Sequence, residues 1–449
     1  MKTNLFGIAL LTLLLVPARA GTNVTHIAAG AYHSLFIKSD GSLRGMGYNN
    51  YSQLGDGTIN EHHTPILIAP SGVVGIAAGQ YFTLFVKSDT SLWGMGNTQF
   101  GELGANLPTF PSSRTTPLQL IPGSVATIAA GLHHSLFLKT DGSFWGMGDN
   151  VFGDMGDGTT TMRTNAVPIL PTGVTTIAGA DEFSLFLKSG GSLWGMGYNA
   201  DGELGDGNSP TSRTNPVQIV SAGVTAIAGG ENHSLFLKTD GSLWGMGYNS
   251  NGQLGPGVLT STNLPVQIVA GGVTAIAAGY FHTLFIKSDG SLWAMGYNGN
   301  GQLGDGTIIQ RTNPVQIVSS GVTAIAAGQA HSLFLKSDGS LWGMGYNGDG
   351  ELGDGSSSER HFPVQIVAGT PVPVIVGINL SGTNLVLNGS NGLSGGVYYT
   401  WMSTNAGKPL NQWSSIATNV LAANGNFTIT VTNTVTQTVA QRFYILQLQ

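Results

Sequence analysis

One unit recurs seven times between residues 21 and 370, and this repetition limits the possible folds more than any other property of the chain. Its last copy reads VTAIAAG at 322–328, HSLFLKSDGSLWGMGYN at 331–347, GELGDG at 350–355 and PVQIV at 363–367. The opening valines are Val24, Val73, Val125, Val174, Val224, Val273 and Val322, so the period is 49 to 52 residues. A unit of this length cannot bury its own apolar surface, and stacking on neighbours makes a solenoid or a propeller.

Within the unit, Leu333-Phe334-Leu335 is apolar at every position, which predicts a strand buried on both faces. Asp338-Gly339 between two apolar runs predicts a β-hairpin with a type I′ turn. The same turn is Asp40-Gly41, Asp141-Gly142, Asp240-Gly241 and Asp289-Gly290, with Gly190-Gly191 and Asp89-Thr90 as variants. Two further short strands flank the hairpin, and no stretch has a helical period long enough to cross a sheet. Four strands repeated seven times give an all-β, seven-bladed β-propeller of four-stranded blades over 21–370. A strand near Val24 to Gly30 is expected to close the ring with the seventh unit.

The pattern AAG..H[ST]LFLK[ST]DGSLWGMGYN..GQLGDG resembles the regulator of chromosome condensation repeat family, in its secreted bacterial type. The resemblance covers all seven units and implies a seven-bladed propeller. One departure is systematic: Met46, Met95, Met147, Met196, Met246, Met295 and Met344 stand where the family usually has Trp. The bulky aromatic lies two positions earlier, at Trp93, Trp145, Trp194, Trp244, Trp293 and Trp342, with Arg44 in the first unit. Methionine fills irregular gaps, so a packed Met ring is expected rather than a soft-metal site.

Residues 1–20 read MKTNLFGIALLTLLLVPARA, with Lys2, an apolar stretch from Leu5 to Val16 and Ala18-Arg19-Ala20 as a small-residue cleavage site. This is the pattern of a signal peptide, too short to span a membrane, and it predicts a secreted, extracellular or cell-surface protein. Cleavage leaves 15 basic against 23 acidic residues, which argues against nucleic-acid partners. The chain has no cysteine, which excludes disulfides and thiol catalysis. Residues 371–449 contain Lys408 and Arg442 and no acid, and five segments rich in Val, Ile, Tyr and Thr predict a small C-terminal β domain, read as a β-sandwich serving as a cap or an attachment module.

Several motifs dissolve when the units are compared. Gly343, Gly345 and Gly348 match a dinucleotide fingerprint, but the third position is Asn50, Ala200 and Ser250 elsewhere, and no helix follows; nucleotide binding is not expected. Asn347, Asp349, Glu351 and Asp354 have the spacing of a calcium loop, while the fifth unit offers Asn249, Asn251, Gln253 and Pro256 with no carboxylate. Calcium binding is therefore left open only in the seventh repeat, and no cofactor is expected. His33, His134, His233, His282 and His331 alternate with Phe82 and Phe183 at one register, which predicts packed, locally hydrogen-bonded rings. The hairpin lysines, Lys38 to Lys336, are expected on a solvated rim, and Arg114, Arg163, Arg213 and Arg311 to brace a loop.

What varies is the pair between AAG and the His register: Ala31-Tyr32, Gln80-Tyr81, Leu132-His133, Asp181-Glu182, Glu231-Asn232, Tyr280-Phe281 and Gln329-Ala330. Equivalent positions in a propeller form a ring on one face, so these residues build an asymmetric surface. Tyr32, Tyr81, His133, Asp181, Glu182, Glu231, Asn232, Tyr280 and Phe281 are its candidate partner-binding residues. The expected function is a non-enzymatic binding scaffold for a protein or cell-envelope partner. Guanine nucleotide exchange, implied by resemblance to eukaryotic family members, conflicts with a signal peptide. A hydrolase or lyase in the propeller channel would need a unique acid, base and nucleophile, and no unit supplies such a set.

Overall fold

Each repeat folds into one antiparallel sheet because its four apolar segments differ in how many faces they must bury. In the seventh, Val322–Ala327, His331–Lys336, Leu341–Gly345 and Arg360–Val367 pair consecutively, and the other six repeats do the same. The second strand is buried at its first five positions in every blade. Alternation sends the two aliphatic residues flanking the phenylalanine to one side and the phenylalanine to the other. Phe36 thus packs with Leu333, Leu335, Leu341 and Leu352 of the seventh blade, and Phe85 with Leu35, Ile37, Leu43 and Leu54 of the first. Each such phenylalanine removes enough apolar surface from water to contribute about 2–3 kcal/mol.

The computed structural model describes residues 23–104, 113–256 and 260–369, together with the terminal strands Leu13–Val16, Val374–Ser381, Asn384–Ser390, Val397–Ser403, Ser414–Val420, Phe427–Val431 and Phe443–Leu448. The architecture is an all-β propeller of seven four-stranded blades. The methionines occupy the seams as expected. Met95 lies against Gly55 of the preceding blade, where an added Cβ would stand 2.7 Å from its sulfur, and Met46 seals the seventh blade to the first at Gly353.

Two expectations are corrected. The hairpin turn is not type I′: Gly339 has φ +77°, but among the described residues the only other residue types with positive φ are Ser52, Thr90 and Ser124, so Asp338 does not share it. Gly339 N–H donates to Lys336 O at 2.9 Å and Lys336 N–H to Ser340 O at 3.0 Å. This is a type I turn followed by a left-handed residue, the geometry of a three-residue loop. Ring closure also differs, since Val24–Ala29 pairs with His33–Lys38 inside its own blade and adds no strand to the seventh sheet. Closure comes from side-by-side packing and from single bonds such as Val24 N–H to Gly339 O at 3.2 Å.

The chain divides into two compact units, Thr22–Gly369 and the termini Met1–Gly21 with Thr370–Gln449. In the second, Leu13–Val16, Phe443–Leu448, Val397–Ser403 and Ser414–Val420 form one sheet and Val374–Ser381, Asn384–Ser390 and Phe427–Val431 another. Ser414–Val420 is a strand that the segment reading did not include. Leu13–Val16, placed by sequence in the signal peptide, pairs in parallel with Phe443–Leu448. Apart from Ile429 and a few neighbours, the side chains of these strands lie outside the described residues, and with them the packing expected of a sandwich.

Candidate binding face at the channel mouth

The first strand of every blade lines the central channel, and its Ala-Gly end sets the width there. Ala29, Gly30, Ala78, Gly79, Ala129 and their counterparts surround a cavity of about 290 Å³. A side chain at Gly30 would meet Gly79 O at 2.5 Å and His33 Cε1 at 2.5 Å, so the backbones of adjacent blades approach closely only because this register stays small. The first four blades then each hand a backbone N–H to the next. Ala31 N–H reaches Gly79 O at 3.3 Å, Gln80 N–H reaches Leu132 O at 3.2 Å and Asp181 N–H reaches Gly230 O at 3.2 Å. The variable residues of the first four blades are therefore held by main-chain bonds to the next blade around the mouth.

A second layer lies beneath them. His33 Nε2 bonds Thr83 Oγ1 of the next blade at 2.9 Å, His282 bonds Ser332 at 2.9 Å, and His331 bonds Ser34 at 2.9 Å across the closure. Thr83 and Ser332 donate their hydroxyl protons to Gln53 O and Gln302 O, both at 2.8 Å. A hydroxyl whose proton is spent can only accept from the imidazole, so Nε2 carries the hydrogen. These histidines are fully buried, and burial pushes His33 and His282 down to about 3 and His331 to about 4. The expectation of hydrogen-bonded structural rings holds.

On this support all nine candidate residues stand half-buried at one end of the channel. They segregate by chemistry. Over the first two blades Tyr32 stacks on Tyr81 with ring centroids 5.6 Å apart, and Tyr81 stacks on Tyr51 at 4.3 Å with Tyr48 tilted beside them. Burial, then Tyr32 and Tyr51, pushes the Tyr81 hydroxyl up to about 12. His133 stacks on Phe100 at 4.1 Å, and burial lowers it to about 4. Over the fourth and fifth blades Asp181, Glu182 and Glu231 gather, and burial followed by repulsion from Glu231 and Glu182 lifts Asp181 to about 8. Glu182 and Glu231 are raised in the same way, the former by burial and Asp149, the latter by burial and Glu182. Tyr280 bridges the two halves, edge-on to Phe281 at 6.5 Å and facing the acids, which with burial raise its hydroxyl. Asn232 contributes its carbonyl to Tyr248 N–H at 2.7 Å.

Sequence reasoning missed the layer that joins this ring from the end of each third strand. Gly47, at φ +106°, turns the chain so that Tyr48 N–H bonds Tyr32 O at 2.9 Å, and Asp149 N–H bonds His133 O at 3.0 Å in the same way. Tyr48, Tyr51, Phe100, Asp149 and Asp154 thus belong to the face. A signal for the last two was present, since DNVFGDMG at 149–156 replaces the usual Tyr by Asp149 and the usual Gln or Glu by Asp154.

Other candidates are absorbed by structure. Asn347 Nδ2 donates to Asp354 at 3.1 Å, Glu351 Oε2 accepts Asp349 N–H at 3.1 Å, and Asp354 is held by Arg360 Nε at 2.6 Å, so the Asn347 and Asp354 side chains of the calcium-like loop already have protein partners, while Glu351 Oε1 is buried without one. Arg163, Arg213 and Arg311 brace the same loop through Asp157, Asp206 and Asp305. The corresponding loop beside Arg114 has Ala105 at the aspartate register and lies outside the described residues. The lysines are more than a solvated rim: six of the seven lie over tryptophans, from Lys139 at 3.7 Å above Trp145 to Lys336 at 4.5 Å above Trp342.

Comparison with known proteins agrees with this architecture. The RCC1-like domain model matches residues 124–408, and the regulator of chromosome condensation (RCC1) repeat matches residues 24–53 and 40–86. The fold is similar to that of human WBSCR16, at 23% identity and a TM-score of 0.66 over 75% of this chain and 96% of that one. It is equally similar to Prp20p from Saccharomyces cerevisiae, at 20% identity and a TM-score of 0.66 over 74% and 88%, a structure described with its binding to Gsp1p and histones.

Proposed function

The chain belongs to the regulator of chromosome condensation (RCC1) repeat family, and from that premise we propose that it is a secreted, non-enzymatic scaffold whose channel-mouth face binds a protein or cell-envelope partner. The observation that carries this reading is the contrast between layers. The histidine and methionine layers are nearly identical from blade to blade, while the ring above them divides into an aromatic and an acidic half. A symmetric scaffold with one asymmetric rim presents a single binding surface.

A non-catalytic role is supported by where the hydroxyls go. The serine or threonine after each histidine register is buried, and Thr83, Ser184, Thr283 and Ser332 are each engaged by both a carbonyl and an imidazole. None is available as a nucleophile. That Prp20p is described with protein partners supports a protein partner here. Secretion rests on Lys2, the apolar Leu5–Val16 stretch and Ala18-Arg19-Ala20. Export and cleavage after Ala20 would be read by mass spectrometry of the N-terminus in a culture medium or envelope fraction.

The face is tested by cross-linking capture from that fraction, comparing the natural chain with Tyr81→Ala, Phe281→Ala and, at the opposite end of the channel, the half-exposed Val74→Ser. Loss of capture in the first two and retention in the third is expected. Equal capture by all three would reject the channel mouth as the surface.

A further inference from the structure

The acidic half of the mouth is rich in acceptors and poor in donors. Among the described residues Asp181 Oδ1, Glu231 Oε2, Gln329 Oε1 and Tyr280 Oη are shielded from solvent and have no hydrogen-bond partner. Behind them Asp154, only 2% exposed, also leaves Oδ1 unpartnered. That oxygen lies against Gly197, beside the Glu182 carbonyl that accepts the Tyr198 N–H at 2.8 Å. With the carboxyls ionised, four of these five atoms can only accept hydrogen bonds, and the Tyr280 hydroxyl can satisfy at most one of them.

Unpaired buried acceptors are costly. A partner that keeps these carboxyls ionised, against the burial that lifts Asp181 to about 8, brings several N–H donors and positive charge. It must also suit the aromatic neighbours, since Phe281 and the stacked tyrosines present ring faces and edges beside the acids. A planar guanidinium or an ammonium on a slim stem meets both demands and fits a mouth walled by alanine and glycine.

We infer that Asp181, Glu231 and Tyr280, backed by Glu182 and the buried Asp154, form a socket for the guanidinium or ammonium group of a basic side chain on the partner. This rests on the binding-face reading and names the chemistry that the face recognises. The bases of the third and fourth blades are engaged elsewhere: Arg163 and Arg213 are held by their loop aspartates, and the lysines over Trp145 and Trp194 sit at the hairpin end of the blades.

The test uses the full chain and two synthetic probes, a tetra-arginine peptide and its tetra-citrulline analogue, which keeps shape and loses charge. Calorimetric titration should show binding of tetra-arginine and at least tenfold weaker binding of tetra-citrulline. The double variant Asp181→Asn with Glu231→Gln should weaken tetra-arginine at least tenfold, and Val74→Ser should leave it unchanged; the unfolding midpoints of both variants establish that they are folded. Equal affinity of the double variant, or of the citrulline peptide, would overturn the socket. The two readings separate in the capture experiment. Capture that is lost in Tyr81→Ala but indifferent to the double variant keeps the face and rejects the socket. Capture indifferent to every mouth substitution rejects the face itself, whatever the peptides do.

Discussion

His33 Nε2 lies 2.9 Å from Thr83 Oγ1 in the next blade, and the same hydroxyl donates to Gln53 O at 2.8 Å. One side chain therefore ties two segments of the first blade to the second. Thr83→Val keeps the volume but strands a buried N–H and a buried carbonyl, and is expected to cost about 2–4 kcal/mol of stability. Thr83→Ser, the residue used in the first, third, fourth, fifth and seventh blades, should cost less than about 1 kcal/mol. Denaturant unfolding of the two variants checks the contrast, and equal losses would show that shape rather than bonding matters at this seam.

The histidine layer makes the propeller sensitive to acid. His282 falls from an ordinary 6.5 to about 3 because of burial, so between these values the unfolded chain holds a proton that the native chain refuses. Its contribution is fully present above pH 6.5 and is lost as pH falls toward 3. His282→Phe imports the residue that Phe82 and Phe183 supply at this register. Relative to the natural chain, the variant should gain about 2–3 kcal/mol between pH 7 and pH 4, at about 1.4 kcal/mol per pH unit for one proton. Parallel stability curves over that interval would refute the assignment.

Glu351 has the opposite sign. Burial, then the nearby Asp349, lifts it from an ordinary 4.5 to about 8, so the native chain holds the extra proton. Stability from this group is complete below pH 4.5 and is lost as pH rises through 8. Glutamine stands at the same register as Gln53, Gln253 and Gln302. Glu351→Gln should therefore become relatively more stable between pH 5 and pH 8, by about 2–3 kcal/mol, as read from urea midpoints at each pH.

The calcium-like loop of the seventh blade should be indifferent to metal. Asp354 is engaged by Arg360 and Ser356, and Asn347 by Asp354 and Leu352 N–H. A calcium ion would have to displace these partners. Melting with excess calcium chloride and with chelator is expected to give the same midpoint, and a rise of several degrees with calcium would restore the site.

The blades were legible because a period near 50 residues and a strand of Leu-Phe-Leu leave few ways to hide apolar surface. The variable ring was legible as well, since the registers that flank it, AAG before and the His-Ser-Leu-Phe-Leu strand after, nearly repeat from unit to unit. What a single unit could not reveal was the contact between units. The His33–Thr83 bond joins residues 50 apart, and the pairing of His331 with Ser34 spans 297. The turn type was misread for a local reason: Asp-Gly suits both a two-residue and a three-residue loop, and the bond from Lys336 N–H to Ser340 O decides between them. Asp149 and Asp154 escaped notice because their importance lies in facing Glu182 of the following blade.

The first blade lacks a feature that the other six share. Elsewhere the tryptophan of the third strand donates its indole N–H to a serine two residues earlier, as Trp145 does to Ser143 at 2.8 Å, while a lysine sits over the ring. Arg44 replaces that tryptophan, so Ser42 Oγ receives no indole bond, and Arg44 Nε itself has no partner. Burial, then the Arg44 charge, holds Lys38 below the ordinary lysine range. Arg44→Trp would exchange a like-charge neighbour for a cation–π contact and supply the missing donor. A gain of about 1–2 kcal/mol is expected in denaturant unfolding, together with a less depressed Lys38. A loss of stability would instead mean that Arg44 makes a favourable contact in the native blade that the tryptophan cannot replace.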